Sequence, residues 1–147
     1  MSLKHQAPRG TRDLLPDDLD RWHWAEASAR GVLERYGYRE IRTPFFEEHD
    51  LFARTSGESS DIVQKEMYRF KDFGDRDLAL RPEGTAGVCR AYLEHGLASK
   101  GRIHRLWYMG PMFRYGRPQK GRFRQFWQIG AESIGSAAPG ADVEMIA

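Results

Sequence analysis

The feature that most restricts this chain is the stretch Ile103–Gly135. Two runs of strand-forming residues, IHRLWYMGPMFR and FRQFWQIGAESIG, flank the polar loop YGRPQKGR. Runs of that length on either side of a connection rich in Gly, Pro and basic residues specify a long antiparallel β-hairpin. Side chains alternate across a strand, so Arg124, Phe126, Gln128, Gly130 and Glu132 share one face, and Gln125, Trp127, Ile129 and Ala131 the other. In the first run Tyr108, Gly110, Met112 and Arg114 share a face. A cation, an aromatic ring, an amide, a carboxylate and two glycines on one sheet face are no ordinary core. They suit a floor for a flat, polar, anionic ligand.

Charge points the same way. Between His95 and Ala131 there is no Asp or Glu but there are eight Lys or Arg, which leaves 15 basic residues against all 21 acidic ones in the rest of the chain. Such segregation fits a phosphate-bearing partner. A solvated basic hairpin is the plain alternative. The placement of Arg114 and Arg124 within apolar strands favours the ligand, because an unpaired charge there is costly.

A chain of 147 residues is long enough for one domain with a real core. No apolar run approaches the roughly 20 residues that span a bilayer, and Met1–Arg12 lacks the apolar core of a signal peptide. Cys89 is the only cysteine, which excludes an internal disulfide and fits a reducing, cytoplasmic setting. Its neighbours Val88 and Ala91 make it a packed thiol rather than a nucleophile. No phosphate-binding glycine loop of the G-x-x-x-x-G-K-[ST] or G-x-G-x-x-G type occurs, no G-x-S-x-G elbow, and no paired His or Cys spacing for a metal. A nucleotide on this chain therefore binds on an antiparallel sheet.

In chain order, Met1–Leu15 is an extended arm. Asp17–Tyr36 is a helix with Pro16 ahead of it, acidic residues in its first turn, an apolar stripe through Leu19, Trp22, Ala25, Ala29, Val32, Leu33 and Tyr36, and Gly37 as its stop. Tyr38–Thr43 is a strand halted by Pro44, followed by Phe45-Phe46 and a short helix over Asp50–Arg54. TSGESS (55–60) is a loop. Met67–Phe70 and Asp77–Leu80 are strands joined by a tight turn. Arg81-Pro82-Glu83-Gly84-Thr85 opens a helix running to about His95. Glu83 and Thr85 at such a start are ordinary capping residues, but Gly84 weakens the first turn, so the backbone there approaches something closely. A last helix begins near Asp142, and a domain that stops so soon after it is expected to be incomplete.

Four of these segments together resemble the histidyl-tRNA synthetase family of class II aminoacyl-tRNA synthetases. PRGTRDLLP resembles its N-terminal signature, GYREIRTPFFEE its motif 1, LRPEGT its amino-acid-binding loop, and MGPMFRYGRPQKGRFRQFWQIGAE its motif 2. The resemblance covers nearly the whole chain. It implies an α+β fold, an antiparallel β-sheet flanked by helices, with residues 1–147 forming the N-terminal part of the catalytic domain. It implies histidine, ATP and tRNA(His) as substrates, Mg²⁺ held mainly by the ATP phosphates, and a homodimer in the full-length protein with Pro44 and Phe45 at its interface. By residue, it implies that Glu83 and Thr85 hold the histidine α-ammonium with Gly84 beside them in the histidine-binding loop, that Gln128 faces the amino acid, and that Glu132 accepts from the imidazole. Arg114 would contact the α-phosphate and the carboxylate, Arg122 the distal phosphates, and Phe126 would stack on adenine. No resident metal is implied.

Two positions depart from the family pattern. Gly116 stands where an acidic residue usually helps bind the adenine amino group, and Trp127 where a smaller polar group is usual; alternation turns Trp127 away from the ligand face. Motif 3 and the anticodon-binding domain are absent, so this stretch alone is expected to catalyse little. The competing readings are a histidine-sensing regulatory subunit of ATP phosphoribosyltransferase and a non-catalytic dimerising or binding fragment. A generic RNA-binding domain would explain the basic loop but not the Glu83 and Glu132 carboxylates.

Overall fold

The structure is a computed structural model and describes residues 5–57 and 60–146. The first four residues of the expected arm, Glu58 and Ser59 of the expected loop, and Ala147 lie outside the described residues.

Helix α1 spans Pro16–Arg35. Its N-terminus follows from sequence: proline in the first turn, Asp17 and Asp18 against the exposed N–H groups, and Asp18 accepting from the Leu15 N–H at 3.4 Å. Gly37, at φ +77°, ends it, with the Gly37 and Tyr38 N–H groups donating back to Glu34 and Leu33 at 3.0 Å. The apolar stripe is only half covered. Trp22 meets Trp127 edge-on at 5.8 Å and the Arg30 guanidinium lies 4.9 Å over the Trp107 ring, while Val32 and Tyr36 are exposed. Helix α1 thus lies against the face of the hairpin that Trp107 and Trp127 share.

Strands β1 (Arg39–Glu40), β5 (His104–Phe113) and β6 (Gln125–Ile134) form one three-stranded sheet in the order β1-β5-β6. Strands β2 (Phe46–Glu48), β3 (Arg69–Lys71) and β4 (Asp77–Leu80) form a second, in the order β2-β4-β3. All pairings are antiparallel except β1 with β5, which is parallel. The expected strand over residues 38–43 shrinks to two residues. After Glu40 only the Ile41 N–H still reaches β5, at the Trp107 carbonyl (2.8 Å), before Pro44 ends the run.

The expected strands around the basic loop are also shorter. β5 stops at Phe113 and β6 starts at Gln125, so Arg114 and Arg124 flank the strands rather than lying within them. The Arg114 N–H still donates to the Arg124 carbonyl at 2.9 Å, but the Arg124 N–H turns to Gly10 at 2.7 Å, where the N-terminal arm docks. The arm takes the donor that would have continued the ladder.

The two sheets meet through Arg81. Its N–H donates to the Phe45 carbonyl, and its own carbonyl accepts from Phe113. The buried guanidinium donates to the Pro111 and Thr43 carbonyls. Burial with no carboxylate in hydrogen-bonding contact lowers its hold on the proton. Helix α3 (Thr85–Glu94) packs on both sheets: Val88 joins Leu106, Tyr108 and Met112, and Ala86 joins Ala79 and Phe52 of helix α2 (His49–Ser56). Helix α4 (Pro139–Ile146) is clamped to β5 by Glu144, which accepts from Arg105 Nε and Nη2 at 2.6 and 2.8 Å. A π-helical turn at Ile62–Glu66 and a 3-10 turn at Leu97–Lys100 complete the chain. No described helix is long and apolar enough to cross a membrane.

Candidate active site

The hairpin register places the alternating face as its sequence period requires. Leu106 pairs with Glu132, Tyr108 with Gly130, Gly110 with Gln128 and Met112 with Phe126. Glu132 lies six positions after Phe126, so the face runs roughly 20 Å at about 3.4 Å per residue. Trp127 lies on the opposite face, against Trp22, as alternation expects.

Two groups of side chains meet on this face. At the Glu132 end, Thr85 Oγ1 donates to Glu132 Oε1 at 2.7 Å, a contact across 47 residues. Glu83 folds back onto the start of α3, accepting from the Thr85 and Ala86 N–H groups at 2.5 and 3.0 Å. Glu83 is therefore a helix cap in this state, and its remaining lone pairs stay open to a further donor. Tyr108 lies beneath them, buried. Burial pushes its hydroxyl up from its ordinary value; a hydrogen bond with Thr85 opposes this and the Glu132 and Glu83 charges add to it. Burial, with the Glu132 and Glu83 charges after it, pushes up the Cys89 thiol, which agrees with a packed cysteine rather than a nucleophile.

At the other end, Arg114 Nε donates to the Pro82 carbonyl at 2.8 Å and its guanidinium lies 5.2 Å from the Phe126 ring centre. Pro82 adjoins Glu83, so the two groups are joined through the RPEGT loop. Between them Gln128 Oε1 is buried and has no hydrogen-bond partner among the described residues. Such an orphaned acceptor calls for a donor, and because the atom is closed to solvent a ligand's donor reaches it only when the covering side chains shift.

Gly84 has a neighbour that the sequence did not identify. A Cβ there would lie 2.1 Å from Tyr108 Cε2, and a Cβ on Gly130 2.3 Å from the Tyr108 hydroxyl oxygen. The tyrosine ring is held between two bare backbones, so Gly84 makes room for Tyr108. Arg122 stands apart from both groups: its Nη2 donates to Glu66 Oε1 at 2.6 Å. Arg124 is held by the Gly116 and Arg9 carbonyls and lies 3.8 Å over the Tyr115 ring. Pro44 and Phe45 are exposed, with the Arg81 guanidinium 4.5 Å over the Phe45 ring. A cavity of about 630 Å³ lies elsewhere, between Pro44, Glu47 and Arg90. Sequence reasoning missed Glu66 and Arg81, whose contacts are distant in sequence and carry no local signal.

The family model described as histidyl-tRNA synthetase matches residues 10–147. The chain belongs to the histidyl-tRNA synthetase family. It is 62% identical over 142 residues to the histidine–tRNA ligase of Thermosynechococcus vestitus, covering 97% of this chain and 33% of that protein. The ligase of Moorella thermoacetica is 59% identical over 140 residues, covering 95% of this chain and 33% of that protein. Among solved structures, apo histidyl-tRNA synthetase of S. aureus superposes with a TM-score of 0.81 at 44% identity, over 97% of this chain and 32% of that one. A Bacillus halodurans protein named as an ATP phosphoribosyltransferase regulatory subunit/histidyl-tRNA synthetase superposes with a TM-score of 0.82 at 27% identity, over 99% of this chain and 36% of that one. The chain spans about a third of the length of the curated relatives it matches. The α+β architecture expected from the sequence is that of the family's synthetase structures.

Proposed function

We propose that the protein containing this chain is a histidine–tRNA ligase, and that residues 1–147 are the N-terminal part of its class II catalytic domain. The observation that carries this reading is the Thr85–Glu132 contact. It brings the amino-acid-binding loop and the end of motif 2 together, beside the open acceptor of Gln128.

In this reading histidine lies at the Glu132 end. Its imidazole N–H donates to Glu132, and its α-ammonium donates to Thr85, Gln128 and the spare lone pairs of Glu83. Gly84 acts through space, by admitting Tyr108. Glu132 is half-buried, and a side chain that cannot donate to it forfeits that bond, which gives selectivity for histidine. The histidine carboxylate attacks the α-phosphorus of ATP, a P–O bond forms, and pyrophosphate leaves, giving histidyl-adenylate. A hydroxyl at the 3′ end of tRNA(His) then takes the histidyl group as an ester, the bond to AMP breaks, and AMP leaves with loss of the hydroxyl proton. A carboxylate is already a nucleophile, so catalysis is alignment and charge stabilisation. Arg114, beside Phe126 and the RPEGT loop, supplies the fixed cation for the α-phosphate, and Phe126 gives adenine a ring to stack on. Arg122 serves the distal phosphates. Mg²⁺ enters with ATP as part of the substrate, held mainly by its phosphates. Pro44 and Phe45 belong to a homodimer interface, and the enzyme works in the cytoplasm.

The test is histidine-dependent ATP–pyrophosphate exchange by the complete protein. Exchange is expected with histidine alone among the amino acids and is expected to vanish in Arg114→Ala; normal exchange in that variant refutes the role of Arg114. The name of the Bacillus halodurans neighbour keeps a histidine-sensing regulatory subunit as the second reading. Histidine binding without any charging of tRNA would select it.

A further inference from the structure

The motif 2 loop rests on a segment to which no role has yet been given. The Tyr115 N–H donates to the Glu66 carbonyl at 2.6 Å, Arg122 Nη2 donates to Glu66 Oε1 at 2.6 Å, and the Tyr115 and Tyr68 rings meet edge-on at 5.5 Å. Glu66 ends the π-helical turn Ile62–Glu66, and such turns concentrate at functional sites. Its side chain is 21% exposed against 51% for Arg122, so Glu66 is the anchored partner. Gly116 completes the arrangement. It is buried, and a Cβ there would lie 3.0 Å from Arg122 Nε and Nη2. The guanidinium thus passes closely over bare backbone at the position where the resemblance places an acid. The acid that Arg122 meets is supplied from another segment, 56 residues away.

We propose that Glu66 is a positioning residue for Arg122: it grips Nη2 and leaves Nε and Nη1, which have no acceptor among the described residues, free for the distal phosphates of a nucleotide. This rests on the nucleotide reading of Arg122. Two effects oppose each other. The Glu66 charge repels phosphate, but the pair is half open to water and that repulsion is screened. The gain from a preset guanidinium is not screened, because a long flexible side chain otherwise loses its rotamer freedom when the ligand binds. Positioning therefore outweighs repulsion, and removing Glu66 weakens nucleotide binding.

The experiment has a ligand-free arm and a ligand arm, both on this chain. In the first, ¹⁵N relaxation of the Arg122 Nε–H is expected to report an ordered group in the wild type, disorder in Glu66→Ala, and an intermediate state in Glu66→Gln, which keeps an acceptor. Unchanged order in Glu66→Ala overturns the proposal. In the second, Mg²⁺–ATP is titrated into the wild type, Glu66→Ala, Arg122→Ala and the double variant. Glu66→Ala is expected to weaken binding about 5- to 10-fold in the presence of Arg122 and to change nothing in its absence. Tighter binding in Glu66→Ala, or the same loss in both backgrounds, overturns the proposal. Unaltered binding by Arg122→Ala instead removes the nucleotide reading; where the wild type does not bind, the relaxation arm alone decides whether Glu66 orders Arg122. Circular dichroism of Glu66→Gln, whose backbone contact to Tyr115 is intact, separates positioning from loss of fold.

Discussion

Replacing Gly84 with alanine tests whether the start of α3 is fixed by Tyr108. The new Cβ would stand 2.1 Å from Tyr108 Cε2, 2.3 Å from Cζ and 2.8 Å from Cδ2. Carbon atoms in contact settle at about 3.5–4.0 Å, so the ring or the helix must shift by more than 1 Å, on the order of the gap itself. The ring has little room to withdraw, because Gly130 closes its other side and Tyr108 is 5% exposed. Overpacking a tight site costs about 1–3 kcal/mol, and the enclosed ring puts this case near about 3. Backbone strain does not contribute: Gly84 sits at φ −101°, which alanine adopts freely. The loss of unfolded-state freedom returns about 0.4–1 kcal/mol. The net destabilisation is about 2 kcal/mol, a fall of roughly 4–8 °C in the midpoint for a domain of this size. Urea denaturation of the chain, read by circular dichroism, measures it. The partner experiment is Tyr108→Leu, which clears the clash yet keeps an apolar filler. In that background Gly84→Ala is expected to be neutral or stabilising. A Gly84→Ala chain within about 0.5 kcal/mol of the wild type, or an equal loss in both backgrounds, refutes the reasoning.

Two further perturbations follow from the same geometry. Arg90 Nε and Nη2 donate to Glu47 at 3.1 and 2.6 Å, joining α3 to β2, and the Glu47 side chain is only 12% exposed, so Arg90→Ala is expected to cost about 2 kcal/mol in urea unfolding at pH 7, with Arg90→Lys recovering part of it. Burial raises the Tyr108 hydroxyl above its ordinary value of 10.0, so above that pH the unfolded chain has lost a proton that the folded chain still holds. Stability is therefore intact below pH 10 and falls as pH climbs past it; Tyr108→Phe should flatten that alkaline decline in urea midpoints, leaving the part due to Tyr38, which is shifted in the same direction.

The parts of the fold legible in the sequence are those fixed by local rules. Helix α1 was readable because its caps and its acidic first turn are local chemistry, and the hairpin because a period of two holds without a break from Gln125 to Glu132. The alternating face therefore named Phe126, Gln128 and Glu132 correctly as neighbours on one side of β6. What stayed illegible depends on distant partners. The strand reading carried Arg114 and Arg124 into the ladder, because nothing near Arg124 reveals that its N–H is taken by Gly10. Gly84 signalled a close approach, but only the register between Tyr108 and Gly130 discloses to what. Glu66 stands just before the strand expected at Met67 and carries no local signal, because the arginine and the backbone N–H that meet it come from the loop around residues 115–122.

The hydrogen bonds on the shelf also say how a ligand must enter. Thr85 gives its proton to Glu132, and each Glu83 oxygen accepts one backbone N–H at the start of α3, so both carboxylates already hold a donor when no ligand is bound. A shelf left unsatisfied would carry a desolvation cost at every open acceptor and would destabilise the domain. Gln128 Oε1 is the exception, buried and unpaired. An ammonium donor would gain an acceptor that no protein group holds once the side chains covering it move aside, whereas the imidazole would share or displace the Thr85 contact at Glu132. Binding energy from the ammonium end therefore offsets rearrangement at the side-chain end. A histidine analogue without its α-amino group should consequently lose more affinity than one hydrogen bond would suggest, because the Thr85–Glu132 pair then opens without that compensation.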